Sequence, residues 1–396
     1  MLDKLYEDYN LTLSVYKQTY RRYLHDVVDR DDKLIGILGA RGVGKTTFML
    51  QLLRKTPNYH KTTLYVNMDG LNASRHTIYE IAETFYKYGG KLLAIDEIHR
   101  YVGFEKELKA IYDTLDLQII FSGSSALYLE HAKGDLSRRA VVHRMVGLSF
   151  REFLELECKE SFEPVSLAEL LKNHMEIASS VTNKIKPLEM FKNYLQYGYY
   201  PFYLQSKKHY PLKLQETINL ALEVDISSIF GISFDKVSKF KKLLIGLCQS
   251  SPSQINIAKL ATMCELNRNT VYTYLDCMQK SQLINMLRCA GSSASAMSKP
   301  DKLYLGNPNI SNLLCDEPNI GTLRELFFLN QLSVGHIVEY PKAGDFVIDG
   351  KHTIEVGGKN KSFEQIKNLD DSYLAVDEIE VGFDNKIPLW VFGFLY

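Results

Sequence analysis

The run Gly39, Ala40, Arg41, Gly42, Val43, Gly44, Lys45, Thr46, Thr47 fits the pattern G-x-x-x-x-G-K-[ST], and those residue types suit one kind of chemistry. Glycines let backbone N–H groups curl around the oxygens of a polyphosphate, and the lysine brings a compact cation to the β and γ phosphates. The Thr46 hydroxyl is a hard oxygen donor suited to Mg2+. About fifty residues further on, the carboxylates Asp96 and Glu97 close the apolar run Leu92-Leu93-Ala94-Ile95. Asp96 is expected to hold the metal together with Thr46, and Glu97 to orient and polarise an attacking water. The chemistry expected is binding and hydrolysis of ATP with Mg2+. Residues 39–47 and Asp96 would cradle the nucleotide, and Lys45 and Glu97 would be catalytic.

Positioning these groups requires strands that all end at one edge. Before the loop, Lys33-Leu34-Ile35-Gly36-Ile37-Leu38 reads as a buried parallel strand; after it, Phe48-Met49-Leu50-Gln51-Leu52-Leu53 reads as a helix ended by Pro57. A helix N-terminus behind a glycine loop favours anions. Further strands are expected at 63–67, 92–97, 118–121 and 141–146, with helices at 77–88 and 104–114 between them. That order is a doubly wound α/β sheet with Asp96 arriving beside Lys45 and Thr46. Upstream, a tyrosine-rich segment is expected to form a helix over 16–28.

Two further groups of residues have open readings. Ser122, Ser124 and Ser125 follow the strand at 118–121 and either sense the γ phosphate or make a tight turn and cap a helix at Ala126. Arg139, beside Arg138, either places a guanidinium on the γ phosphate, within its own chain or across a subunit interface, or is a surface residue.

At this point the chain resembles the prokaryotic AAA-type ATPases that carry a DUF4143-like domain of unknown function after the ATPase. The resemblance rests on Asp-Glu-Ile-His at 96–99, Phe-Ser-Gly-Ser-Ser at 121–125, an arginine near 139 and Leu-Ser-Phe-Arg-Glu-Phe-Leu at 148–154. Arg41 fits the family's Gly-Pro-Arg opening, with Ala40 in place of proline, while Arg138 stands where a glycine is usual. The resemblance covers nearly the whole chain and implies an AAA-like ATPase fold followed by a helix-rich continuation.

Beyond residue 155 the pattern is helical and polar, with a turn at Tyr197-Gly198-Tyr199-Tyr200-Pro201. Residues 257–261 and 269–275, joined by a turn at 265–267, have helix-turn-helix spacing. In a winged-helix module Arg268, Asn269 and Tyr272 would sit near the start of the second helix, and 291–300 would be the wing. Such a module either reads double-stranded DNA or packs as a connector; one arginine followed by Asp276 offers few phosphate contacts. The last eighty residues are expected to run helix (323–332), strands (337–340, 345–348, 353–356), helix (363–369) and strand (373–376). This order resembles the restriction-endonuclease-like fold, with Asp345 and Glu355 as its acids and Glu325 as an additional ligand. Gly357 stands where that fold needs a lysine, and Lys359 is the substitute on the same face. A degenerate nuclease used for interaction is therefore expected. The domains expected are 1–155 (P-loop ATPase), 156–310 (helical with winged helix) and 311–396 (small α/β).

Composition narrows the rest. The 396 residues carry 47 Lys plus Arg against 47 Asp plus Glu and are 45% hydrophobic, which gives no global electrostatic case for nucleic acid. The N-terminus lacks a signal-peptide pattern and no apolar run reaches the length of a membrane span, so a cytoplasmic protein with no membrane partner is expected. Its six cysteines show no zinc-ligand spacing and read as reduced thiols. The sequence leaves open an unknown protein client and a homo-oligomer.

Overall fold

The computed structural model describes residues 1–126, 136, 138–250, 252, 256–289 and 300–396. Its chain divides into two compact units, Met1–Gly147 with Val224–Ile232, and Leu148–Glu223 with Ser233–Tyr396.

Over residues 1–126 of the first unit the α-helices are α1 (Leu2–Val15), α2 (Leu24–Val27), α3 (Lys45–Arg54), α4 (Tyr59–Thr62), α5 (Ile78–Lys87) and α6 (Phe104–Thr114). Five strands, β1 (Leu34–Gly39), β2 (Thr63–Asn67), β3 (Leu92–Asp96), β4 (Gln118–Ser124) and β5 (Val141–Arg144), pair in parallel in the order β2-β3-β4-β1-β5. β1 and β3 are buried along their whole length, as continuous apolar runs covered on both faces require. Helix α5 starts at a capping box in which Thr77 and Glu80 satisfy each other's backbone N–H groups. This is the α/β sheet of a P-loop protein. Only glycine fits at position 39, because a Cβ there would lie 2.2 Å from the Met145 carbonyl oxygen.

Of the expected helix over 16–28 only the single turn α2 (Leu24–Val27) forms. Helix α1 ends at Val15, and the segment after it is held by side chains of α3. Gln51 donates to the carbonyls of Gln18 and Tyr20, each at 2.9 Å, and Arg54 to those of Leu13 (2.7 Å) and Tyr16 (2.6 Å). Carbonyls satisfied from outside have no need of helical partners. The helix expected to be capped at Ala126 lies outside the described residues.

In the second unit the chain forms α7 (Phe150–Cys158), α8 (Leu167–Thr182), α9 (Pro187–Asn193), α10 (Tyr210–Leu220), α11 (Val237–Cys248), α12 (Ile257–Cys264) and α13 (Arg268–Lys280). An antiparallel pair, β6 (Ile284–Leu287) and β7 (Lys302–Leu305), follows, then α14 (Pro308–Leu314) and α15 (Ile320–Leu332). Last come β8 (Val338–Glu339), β9 (Phe346–Ile348), β10 (His352–Gly357), β11 (Ser372–Val376) and β12 (Lys386–Pro388), in the order β12-β11-β10-β9-β8. The Leu-Ser-Phe-Arg-Glu-Phe-Leu motif opens α7 through a capping box between Ser149 and Glu152. Phe150 then sits among the rings of Phe191, Tyr194, Phe327 and Trp390, so the motif serves packing.

Three expectations are corrected in this unit. Residues 363–369 form turns rather than a helix, with Ile366 drawn into a core with Leu374 and Val376. Cys248 and Cys315 are joined as a disulfide with Cα atoms 5.3 Å apart, while Cys158, Cys264 and Cys277 are free thiols. β10 ends at Gly357, so its alternation does not carry Lys359 to the side of Glu355; Lys361 reaches that carboxylate instead, at 2.5 Å. The loop 291–300, expected as a wing, lies outside the described residues except for Pro300. Among the described residues, no helix is long and apolar enough to cross a membrane.

Candidate functional site

The loop between β1 and α3 turns on Gly42 and Gly44, with φ of 79° and 102°, values that favour glycine. Gly44 caps α3, so Lys45 and Thr46 open the helix with their backbone N–H groups unpaired within it. Lys45 is buried and donates through Nζ to the carbonyls of Gly39 at 2.9 Å and Ala40 at 3.0 Å. The ammonium is therefore held by the loop that it is expected to serve.

Strand β3 brings Asp96 to the same sheet edge, where it is 1% exposed. Its Oδ2 accepts from Thr46 Oγ1 at 2.6 Å and from the Tyr65 hydroxyl at 2.7 Å, and its Oδ1 accepts from Ser122 Oγ and from the Glu97 N–H at 3.1 Å. A buried carboxylate needs such a set of donors. Thr46 and Asp96, adjacent hard oxygen donors, fit a Mg2+ ion.

Glu97 leaves β3 in a left-handed conformation, φ 54°, that a glutamate adopts at a cost. Its N–H is fixed by Asp96 and by Ser122 Oγ at 3.2 Å. Its carboxylate Oε2 lies 3.4 Å from Nδ1 of His99, and Nε2 of the same ring lies 3.5 Å from Oδ1 of Asp225; the His99 side chain is 1% exposed. Asp225 in turn takes Arg41 of the phosphate loop, from Nη2 at 2.9 Å and from Nε at 3.2 Å. Burial pushes the Asp225 carboxyl upward, but His99 and the Arg41 guanidinium outweigh it and hold the group below its ordinary range.

Lys45, Thr46, Asp96 and Glu97 thus gather at one end of the sheet. Arg139 does not join them. β5 begins beside β1 with Ile35 opposite Val141, a level ~13 Å along the strand from Gly39 at ~3.3 Å per residue, and Arg139 precedes it, toward the other end of the sheet. Its guanidinium pairs there with Asp113 at 3.0 Å and lies over the ring of Tyr112. An action of Arg139 on a nucleotide in its own chain is thereby corrected. Sequence reasoning missed Tyr65, whose place at mid-strand carries no motif, and Asp225, which is 129 residues beyond Asp96. His99 was visible within Asp-Glu-Ile-His, but nothing in that string says which carboxylates its ring meets.

In the second unit Glu325 and Asp345 share the ammonium of Lys302, at 2.9 and 3.0 Å, and Tyr304 donates to Glu325. Glu355 is paired with Lys361. Among the described residues no group of three or more His, Cys, Asp or Glu side chains is placed to hold a metal.

Residues 31–154 match a family model described as "AAA domain", and residues 188–319 one described as "Domain of unknown function (DUF8612)". The second replaces the DUF4143-like domain that the resemblance implied. A curated relative, "Uncharacterized protein MJ1637" of Methanocaldococcus jannaschii, is 28% identical over 95% of this chain and 88% of its own length. Among solved structures, AMPPCP-bound DnaA from Aquifex aeolicus is 16% identical over 63% of this chain and 82% of that one, with a TM-score of 0.26. The S. cerevisiae Hsp104–ADP complex is 16% identical over 69% of this chain and 37% of that one, with a TM-score of 0.27. Residues 31–154 are thus similar to an AAA domain.

Proposed function

We propose that this domain binds ATP with Mg2+ and hydrolyses it, and that the remaining chain responds to the nucleotide state. The observation that carries the reading is the meeting of Thr46 and Asp96 at 2.6 Å, between a loop built for phosphates and a strand end built for a metal. Lys45 would exchange its loop carbonyls for phosphate oxygens, and the N–H groups of residues 42–47 would line the same anion. Mg2+, when bound, would offset charge on the β and γ phosphates. Glu97 would accept the proton of the attacking water. Arg139 would act across a subunit interface, in a homo-oligomer, since residues 39–47 of its own chain stand at the opposite end of the sheet. Equilibrium binding of ATP to Lys45→Ala tests the first step. The loss expected is about 1.5–3 kcal/mol of binding free energy, the worth of a hydrogen bond to a charged group. Unchanged affinity would refute the loop's role.

A second reading is ATP-dependent binding of double-stranded DNA. It is favoured by one observation: α12 and α13, joined at Glu265 (φ 54°) and followed by the β6–β7 pair, leave Arg268 and Asn269 exposed at the start of α13. Asp276 is taken by Lys280 at 2.8 Å, so it would not repel phosphate strongly. The third reading, a nuclease gated by ATP, is opposed by ammonium groups on Glu325, Asp345 and Glu355. A docking domain for a protein client suits that paired cluster better.

A further inference from the structure

We propose that Asp225 and His99 are positioning residues for Glu97, forming a relay that ties the hydrolytic carboxylate to the phosphate loop through Arg41. The inference rests on the proposed ATPase reading and names residues that the P-loop and Asp-Glu motifs do not contain. The order along the relay is Arg41, Asp225, His99, Glu97, with closest approaches of 2.9, 3.5 and 3.4 Å.

Three features set this arrangement apart from a chance contact. The first is the ring itself. An imidazole side chain 1% exposed has both nitrogens buried without a well-aligned hydrogen bond, and each nitrogen faces one carboxylate. Buried polar atoms are ordinarily satisfied, and catalytic hydrogen bonds are often long before substrate arrives and tighten with it. The slack at 3.4–3.5 Å is of that kind: a small movement of Glu97 toward the ring would satisfy it. The second is the backbone. Glu97 is held in the left-handed region by its N–H contacts to Asp96 and Ser122, which fixes where its side chain starts and leaves His99 to set where it ends. The third is the origin of Asp225. It stands in a π-helical turn, Ala221–Ile226, a form frequent at functional sites. Its segment, Val224–Ile232, packs as part of the ATPase unit although the chain before and after it belongs to the second unit.

The chemistry follows from these positions. Arg41 lies inside the loop that would close on the phosphates, so a shift of that loop on nucleotide binding moves the cation that Asp225 holds. Asp225 sets the orientation of His99, and His99 sets that of the Glu97 carboxylate, as a carboxylate orients the imidazole beside a reacting group in other sites. Glu97 alone touches the water.

The test uses the full chain and measures kcat, KM and equilibrium ATP affinity for Asp225→Asn, His99→Ala, Glu97→Gln and the double variant Asp225→Asn/Glu97→Gln. His99→Ala leaves the Arg41–Asp225 pair intact and so guards against a variant that merely disturbs the loop. Expected is a fall in kcat of about 10- to 100-fold for Asp225→Asn and for His99→Ala, the size usual for partners that orient a reacting group. KM and affinity should stay near wild type, and the double variant should be no slower than Glu97→Gln alone. Wild-type kcat in both single variants, with Glu97→Gln inactive, would overturn the relay and leave the ATPase reading standing. Faster turnover would overturn it too, since the residues would then be a brake. Loss of ATP affinity in both would assign them to holding the loop. Wild-type turnover in Glu97→Gln would instead remove the reading on which the relay rests.

Discussion

Tyr65 donates its hydroxyl to Oδ2 of Asp96 at 2.7 Å, the same oxygen that Thr46 holds at 2.6 Å. A phenol from β2 therefore helps to fix the carboxylate assigned to the metal. Burial, with the Asp96 charge second, pushes the Tyr65 hydroxyl far up, so it stays a donor at any working pH. Tyr65→Phe should cost about 1.5–3 kcal/mol of unfolding free energy, the value of a hydrogen bond to a charged group. Affinity for ATP should fall with Mg2+ present and hold without it. Chemical denaturation and titrations with and without Mg2+ check both, and an unaltered unfolding midpoint would contradict the role.

His25 is predicted to make folding sensitive to acid. Burial lowers its pKa to about 4, only partly opposed by the contact of Nε2 with Gln51 at 2.7 Å. The ring stays neutral in the folded protein while an unfolded chain protonates it near 6.5. Above that value both states are neutral and His25 has no effect. As pH falls from about 6.5 to 4 the unfolded state binds a proton that the folded state refuses, so stability falls, by up to about 3 kcal/mol. His25→Phe should flatten this part of a stability-against-pH curve; an equally steep curve would contradict it.

Arg139 is predicted to act on a neighbouring subunit. Arg139→Ala should lower ATP hydrolysis by on the order of 10³-fold, and mixing it with Lys45→Ala protein should restore turnover, since an intact arginine and an intact loop then meet. A wild-type rate for Arg139→Ala alone, or no recovery on mixing, would contradict the assignment.

For the second unit the prediction is an absence of cleavage. Supercoiled plasmid incubated with the protein, ATP and Mg2+ or Mn2+ should remain intact, because Lys302 and Lys361 already neutralise the carboxylates that would hold a metal. Nicking that disappears in Asp345→Ala would make the protein a nuclease.

What could be read without coordinates follows from how local each signal is. The turn at 39–47 between β1 and α3, and Asp96 at the end of β3, were legible because a glycine-rich turn and an apolar run closed by a carboxylate are local patterns. The parallel sheet was legible because its strands are unbroken apolar runs. The helix at 16–28 was misplaced because Gln51 and Arg54, from a distant helix, take the carbonyls that a helix would use. Lys359 was chosen by extending the alternation of β10 past its end, where Lys361 folds back to Glu355 instead. Asp225 was invisible for a plainer reason: nothing local marks a carboxylate whose partners, Arg41 and His99, lie more than a hundred residues earlier.

Hydrolysis by Glu97 is tested by ATP binding and turnover of Glu97→Gln beside wild type. The amide can still hydrogen-bond water but cannot take its proton. Affinity for ATP should stay close to wild type and kcat should fall by about 10²–10⁴-fold. Turnover at the wild-type rate, or an affinity lost as completely as in Lys45→Ala, would contradict it.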